Sequence, residues 1–388
     1  MVPFRYNVRS LLVRKATTVA TALGVALVVF TLAASQMLVS GVHRALRSSG
    51  RDDNVIVMRK GSDIELASIL EEENVRLVLA APGVRRDEQG RPVGVGEAVM
   101  VAAMDKLDGS GLSNVQIRGV PDGAIAFRPE VRVIAGRPPK PGADEAFIGT
   151  ALRGRFKGFE LGQQIYLRSN RPLNVVGFFD AGGSSYESEV WANLDAARTS
   201  FGREGTVSTV RVRLESPEKF DALKAVVEQD KNLGFLALRE TDYYEKQSEN
   251  TTLFITALGS MVTFFFSLGA IIGAAITMYA AVANRRREIG TLRALGFGRR
   301  SIVFSFLLES TALALVGGAA GLAAAMLLKF VRFSAMNWQT WSEIVFSFEP
   351  TPDIIVSSAV FAVVLGVFGG LLPALRASRV PPAEAMRG

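Results

Sequence analysis

Four stretches of the chain are long, apolar and almost free of charge, and the sequence between them is patterned differently. Residues 16–40 (ATTVATALGVALVVFTLAASQMLVS), 251–283 and 354–375 carry no charge, and residues 301–328 are interrupted only by Glu309. About 20 mostly apolar residues suffice to cross the roughly 30 Å of bilayer hydrocarbon. Backbone groups in lipid have to be paired within their own segment, so the pattern predicts four spanning helices. At a rise of about 1.5 Å per residue the second is roughly 50 Å long and is expected to project beyond the bilayer. Basic residues precede the first, as they would a secretory signal, but its uncharged run is longer than a usual signal core, so it is read as a retained span.

Residues 41–250 contain no such run. Short strands are predicted at 54–58, 93–101, 115–120, 131–135, 145–148, 164–167, 173–179, 206–214 and 235–238, separated by Gly, Pro and Asp turns. Helices are predicted at 65–79, at 151–156 and, with a proline in its first turn, at 217–229. Residues 241–249 are polar and helical in pattern and run into the second span without a Pro or Gly break, which favours a rigid rod over a hinge. Glu187 and Glu189 alternate ahead of Val190 and Trp191 and are expected as surface acids on one strand face. The fold class that follows is a polytopic α-helical membrane protein with four transmembrane helices and a large α+β extracytoplasmic domain.

Charge orients these spans. The chain carries 44 Lys and Arg against 37 Asp and Glu, and the excess sits in two short segments. Arg5, Arg9, Arg14 and Lys15 precede the first span, and six arginines against Glu288 occupy 285–300. Arg376, Arg379 and Arg387 follow the fourth span. Basic flanks are retained on the cytoplasmic side, so both termini are expected inside, with 41–250 and the shorter loop 329–353 outside. The full division is 1–15, 16–40, 41–250, 251–283, 284–300, 301–328, 329–353, 354–375 and 376–388. Within 1–15, Phe4, Val8, Leu11 and Leu12 recur at helical spacing around Arg5 and Arg9, predicting an amphipathic helix in the inner headgroup layer. A nucleic-acid binder would carry its basic charge as a face of the soluble domain, so that class is excluded.

Candidate chemistry is sparse. The chain has no Cys and a single His, His43, which removes disulfides, thiolate sites and multi-histidine metal clusters. No catalytic constellation appears in the large domain, which reads as a binding or docking module. The loop 284–300 is the most specific feature. Ile289, Leu292 and Leu295 fall three apart as an apolar stripe, edged by Arg285, Arg286, Arg287 and Arg293, and Gly296 and Gly298 stop the helix. Such a short amphipathic helix suits docking into a groove on a soluble partner. Glu309 lies about nine residues, or roughly 12 Å, into its span; it either pairs with an arginine of this loop or snorkels to the interface. Gly317, Gly318 and Gly321 form a small-residue packing face, and Gly269 and Gly273 form a GxxxG that fits a dimer seam.

These residues resemble the FtsX-like permease family in the MacB-type arrangement of type VII ABC transporters. The resemblance is carried by R-R-x-E-I-G-x-L-R-A-L-G-F from Arg285, by Glu309-Ser310, by G-G-x-x-G at Gly317, and by the closing run from Pro373. Gly136-Arg137, Phe147-Ile148-Gly149 and Val175-Val176-Gly177 fit the family's periplasmic core domain. The resemblance implies an inner-membrane permease working as a homodimer or related heterodimer with two copies of an ABC ATPase. The loop helix would be the coupling helix, with Arg286, Arg287, Glu288, Ile289, Leu292, Arg293, Leu295 and Gly296 as its contact residues. ATP-driven closure would pass through the membrane to the periplasmic domain without carrying substrate through a channel. A membrane-fusion adaptor and an outer-membrane duct are further implied partners, as is membrane lipid. The chain lacks G-x-x-x-x-G-K-[ST], so ATP and Mg are expected on a separate ATPase and the chain is not expected to be an enzyme. It looks like the stand-alone permeases of lipoprotein-releasing and glycolipid-exporting systems. The alternative implied function is an FtsX-like regulator that activates an envelope hydrolase by the same motion.

Overall fold

The structure, a computed structural model, describes residues 15–168, 171–229, 234–337 and 340–381. The amphipathic helix expected within 1–15 lies almost wholly outside the described residues, as does the tail beyond 381. Four helices are long and apolar enough to span a membrane: Lys15–Arg47, Glu240–Asn284, Arg299–Met326 and Pro352–Ser378. A short helix, Arg286–Ala294, lies between the second and third.

The chain divides into two compact units. One holds the long helices: the part up to Ser40, Leu253–Val331, and the part from Ser347. Close approach in this unit is set by glycine. A Cβ on Gly317 would stand 2.4 Å from the Ala22 carbonyl oxygen, and one on Gly321 would stand 2.1 Å from that of Ala26. The third long helix thus lies directly on the backbone of the first, a contact that any side chain would force apart. Thr21 donates to Thr277 Oγ1 at 2.9 Å and Ser357 to Gln36 at 2.9 Å, tying the first helix to the second and fourth.

The other unit is Gly41–Thr252 with Arg332–Phe346. Its strands are β1 (Asn54–Arg59), β2 (Leu70–Glu71), β3 (Gly94–Asp105), β4 (Leu112–Val120), β5 (Arg132–Gly136), β6 (Glu145–Gly149), β7 (Gln164–Tyr166), β8 (Pro172–Asp180), β9 (Glu189–Asn193), β10 (Thr206–Val207), β11 (Thr209–Arg213) and β12 (Phe235–Arg239). Ten of them make one mixed sheet in the order β12-β1-β11-β3-β4-β9-β6-β8-β5, with β7 against β8. Side chains alternate across a strand, and each face has its own use. Ala98, Met100, Val115, Ile117, Val190 and Ala192 enter one apolar core, and Val55, Val57, Val210 and Val212 enter another. The intervening residues of the central strands face elsewhere, as described below. Near the β5–β8 pair the chain crosses itself so closely that a Cβ on Gly136 (φ +70°) would stand 2.2 Å from the Val176 carbonyl oxygen.

Several elements differ from expectation. Residues 65–79 are not one helix: a 3-10 turn (Glu65–Ala67) and β2 precede a helix at Glu72–Leu79. The Ser68 hydroxyl accepts from the Arg59 amide at 3.0 Å, and Leu70 and Glu71 pair with β10, both of which compete with helix formation. Residues 151–156 keep only a 3-10 turn at Thr150–Leu152, because Gly154 turns with φ +70°. A further helix lies at Leu194–Phe201, where Asn193 caps it by accepting from the Asp195 and Ala196 amides and Gly202 ends it left-handed. The loop 329–353 is also more than a loop. Strands Arg332–Asn337 (β13) and Ser342–Ser347 (β14) form a hairpin, most of which belongs to the large domain. Its Glu343 accepts from Ser113 Oγ at 2.6 Å and pairs with Arg155 and, at 3.4 Å, with Lys106. Burial raises the Glu343 carboxyl, but the Ser113 and Ser334 hydroxyls and these two cations outweigh it and hold it below the ordinary value.

Candidate functional site

Two arrangements, one in each unit, bring charged side chains into buried positions. In the large domain the face opposite the first core carries Glu97 on β3, Gln116 and Arg118 on β4, Glu189 and Trp191 on β9, and Arg211 on β11. Register places them side by side, with Gln116 opposite Glu189, Arg118 opposite Trp191, and Thr209 opposite Glu97. Arg118 Nε donates to Glu189 at 2.7 Å, while its Nη1 reaches Glu97 at 3.0 Å and Glu65 at 3.1 Å. Arg128 holds Glu97 through both of its terminal nitrogens, at 2.6 and 2.7 Å. Arg211 donates to Glu97 at 2.7 Å, to Glu65 at 2.8 Å, and through Nε to Glu240 at 2.9 Å. The three arginines and four glutamates are all at most 5 % exposed.

Neutral donors satisfy the remaining carboxylate oxygens. Trp191 Nε1 and Gln116 Nε2 donate to Glu189 at 2.8 and 2.6 Å, and Asn54 Nδ2 donates to Glu240 at 2.8 Å. Arg128 also lies over the Tyr186 and Trp191 rings, at 4.8 and 5.3 Å. Burial would raise the Glu65 and Glu97 carboxyls. The surrounding guanidiniums outweigh it, holding Glu65 well below the ordinary range and Glu97 at about 2. Burial would likewise lower Arg118 and Arg211, but the facing carboxylates raise both. Glu65, Glu97, Arg118 and Arg211 therefore stay charged at neutral pH, and most of the cluster's hydrogen-bonding capacity is taken up internally, with Arg128 Nε buried without a partner. The cluster fastens elements together; it offers no nucleophile or general base. Among the described residues no group of His, Asp or Glu is placed to hold a metal ion.

What the cluster fastens is the root of a long helix. Glu240 is the first residue of Glu240–Asn284, and Tyr243 and Tyr244 follow it into the same buried surroundings, where Arg211 donates to Tyr244 and Tyr244 to Tyr186. The helix is unbroken over 45 residues.

Glu187 and Glu189 were expected as surface acids, and the structure corrects this. Glu189 is 3 % exposed on β9 within the cluster, and Glu187 is 9 % exposed in a 3-10 turn, accepting from the Ala181 and Gly183 amides. The physical reason is that both positions are covered, so Glu189 is matched by Arg118 and Glu187 by backbone amides instead of water.

The second arrangement lies in the membrane unit. The long helix ends at Asn284, Arg285 takes a non-helical conformation, and the short helix Arg286–Ala294 begins. Arg285 Nη1 donates to Glu309 at 3.0 Å, with both side chains at most 9 % exposed. Of the two alternatives for Glu309, the structure has the pairing with a loop arginine. The short helix ends in a Schellman pattern, the Phe297 amide bonding to the Leu292 carbonyl at 3.1 Å and the Gly296 amide to that of Arg293 at 3.1 Å, with Gly296 at φ +92°. Gly298 has no left-handed turn; it is extended and precedes the third long helix.

The expected apolar stripe divides. Ile289 is 2 % exposed in a core with Val282, Ile302, Phe306 and Ala374, and Leu292 packs on that core. Leu295 alone of the three points outward, at 72 % exposure. Arg286, Arg287 and Glu288 are exposed and Arg293 is half-buried. Inside the membrane unit, a Cβ on Gly269 or Gly273 would meet no described atom within 4 Å, and both line an apolar groove with Gly24, Leu27, Phe265 and Phe266.

Comparison with known proteins gives this architecture a family. The model of the MacB-like periplasmic core domain matches residues 16–230, and that of the FtsX-like permease C-terminal region matches residues 260–382. The chain belongs to the MacB/FtsX-type family of ABC transporter permeases, and it is a multi-pass membrane protein. It is similar to an uncharacterized ABC transporter permease of Methanocaldococcus jannaschii, with 24 % identity over 62 % of this chain and 61 % of that one. It is also similar to the macrolide export ATP-binding/permease protein MacB of Hahella chejuensis, with 29 % identity over 70 % of this chain and 43 % of that one. The chain thus spans about half the length of the curated relatives it matches. Among solved structures, the extracellular domain of the transporter YknZ from Gram-positive bacteria aligns at 18 % identity and a TM-score of 0.35, over 48 % of this chain and 99 % of that one.

Proposed function

We propose that this permease relays ATP-driven motion from a separate cytoplasmic ATPase to its large domain on the outer side of the inner membrane, powering export or extraction of a substrate from the periplasm or outer leaflet. The basic segments lie inside, so both termini are cytoplasmic and the short helix Arg286–Ala294 faces the ATPase. Two ATPase copies bind ATP and Mg, and a second permease copy, identical or related, packs on the Gly269 and Gly273 face. A periplasmic adaptor and an outer-membrane duct complete the path for cargo.

One observation carries this reading: the helix Glu240–Asn284 is continuous, is locked at its first residue into a buried charge cluster, and is followed by a short helix held by Arg285 and Glu309. A push on the short helix is therefore delivered to a stiff element instead of being absorbed by a loop. A conducting pathway for a polar cargo would need ionisable groups facing a cavity. Within the apolar spans Glu309 is the acid available, and it is engaged by Arg285.

Leu295 offers the cleanest test, because it is exposed and contributes little to the permease's own packing. Leu295→Asp should reduce capture of the ATPase in detergent at least about tenfold, the loss of a central apolar contact being of order 2 kcal/mol, while thermal unfolding of the permease stays unchanged. Undiminished capture would refute the assignment of this helix.

A further inference from the structure

A cleft of about 470 Å³ opens in the membrane unit where the second and fourth long helices end. Arg286, Arg376 and Arg379 line it, together with Tyr279 and the apolar Val282 and Val380, and among the described residues no acid lines it. Arg376 sits over the Tyr279 ring at 5.7 Å. We propose that this cleft binds the phosphate headgroup of an anionic phospholipid.

The chemistry is two-sided. Two of the arginines stand at the end of the fourth long helix and one at the start of the short helix, and guanidinium is the side chain suited to bidentate capture of a phosphate. Like charges lining one cleft repel one another, and an anion shared between them relieves that repulsion. Val282 and Val380 supply an apolar wall that a free inorganic anion would not use but that the glycerol and upper acyl carbons of a lipid would. Tyr279 belongs to the residue type that collects at the headgroup level, and basic pockets between transmembrane helices are a recurrent form of anionic-lipid recognition. By its place at the end of the helix that meets the short helix, a bound lipid would brace that junction. The proposal rests on the chain spanning a membrane; it shares Arg286 with the proposed ATPase contact, so its test uses Arg376 and Arg379.

The test is native mass spectrometry of the full chain in detergent, titrated with phosphatidylglycerol or with phosphatidylcholine. Phosphatidylglycerol should bind about tenfold more tightly than phosphatidylcholine, and Arg376→Gln with Arg379→Gln should abolish that preference. Arg299→Gln with Arg300→Gln removes the same charge from exposed positions outside the cleft and should leave the preference intact. Equal binding of the two lipids, or a preference that survives R376Q/R379Q, would overturn the site. Displacement of the lipid by inorganic phosphate at equal concentration would assign the cleft to a soluble anion and overturn the lipid source. The R376Q/R379Q protein should still capture the ATPase, and the L295D protein should still prefer phosphatidylglycerol; loss of ATPase capture with unchanged lipid preference in R376Q/R379Q would make the cleft a protein-docking site and overturn the proposal.

Discussion

Replacing Arg211 with methionine should destabilise the large domain by about 3–5 kcal/mol, the range found when one partner of a buried ion pair is removed. Arg211 serves Glu65, Glu97 and Glu240 at once. Its loss deepens the excess of carboxylates over guanidiniums in surroundings where ions are costly, and methionine keeps an unbranched apolar stem but supplies no donor. Glu240→Gln should cost far less, about 1–2 kcal/mol, because Arg211 keeps its other two carboxylates and the amide oxygen can still accept from its Nε. The order of the two effects is the signature of a shared arginine, and thermal unfolding of the detergent-purified variants reads it. Equal costs would mean that Arg211 acts only as the partner of Glu240.

The second large effect is expected at Glu309. Glu309→Leu leaves Arg285 buried without its carboxylate and should cost about 3–5 kcal/mol. The double change Arg285→Met with Glu309→Leu replaces both ions by apolar groups and should recover most of that loss, since a buried pair often breaks even against well-packed hydrophobes. Stability and coupling should separate here. The double variant is expected to fold and to capture the ATPase, yet to lose nucleotide-dependent movement of the large domain, because the junction after Asn284 no longer has its ionic lock. A double variant as unstable as Glu309→Leu alone would place the cost in packing.

Much of the fold was legible from periodicity. The four spans, most strands of the large domain and the unbroken run of 241–249 into the second span follow from apolar runs and period-two alternation, signals set by the bilayer and the pleat. The small-residue contacts at Gly317 and Gly321 follow from the same logic. The charge cluster was not legible, because its members come from seven places in the sequence, Glu65 to Glu240. A usable signal was nonetheless present: Glu97, Arg118, Glu189 and Arg211 each stand at a position alternating with the apolar residues of their strand. An isolated charge of that kind reads as a solvated face when strands are considered singly. Only the sheet order, which is non-local, brings these acids and arginines onto one face of neighbouring strands. The β13–β14 hairpin escaped for a similar reason, since what fixes it are contacts of Glu343 with Ser113 and Arg155, far away in sequence. The short helix misled in the other direction. Its spacing was read correctly as amphipathic, but an apolar stripe does not say which of its residues faces the chain's own core, and Ile289 and Leu292 do.

Under the proposed relay, nucleotide binding at the ATPase is felt by the large domain. The chain has no cysteine, so Lys157→Cys, on an exposed turn of the large domain, gives one label site per copy. Electron–electron resonance between labelled copies in the reconstituted complex should show a shifted distance when ATP is bound to a hydrolysis-deficient ATPase, and no shift in the Leu295→Asp background. An unchanged distance with ATP, or the same shift in L295D, would contradict the account.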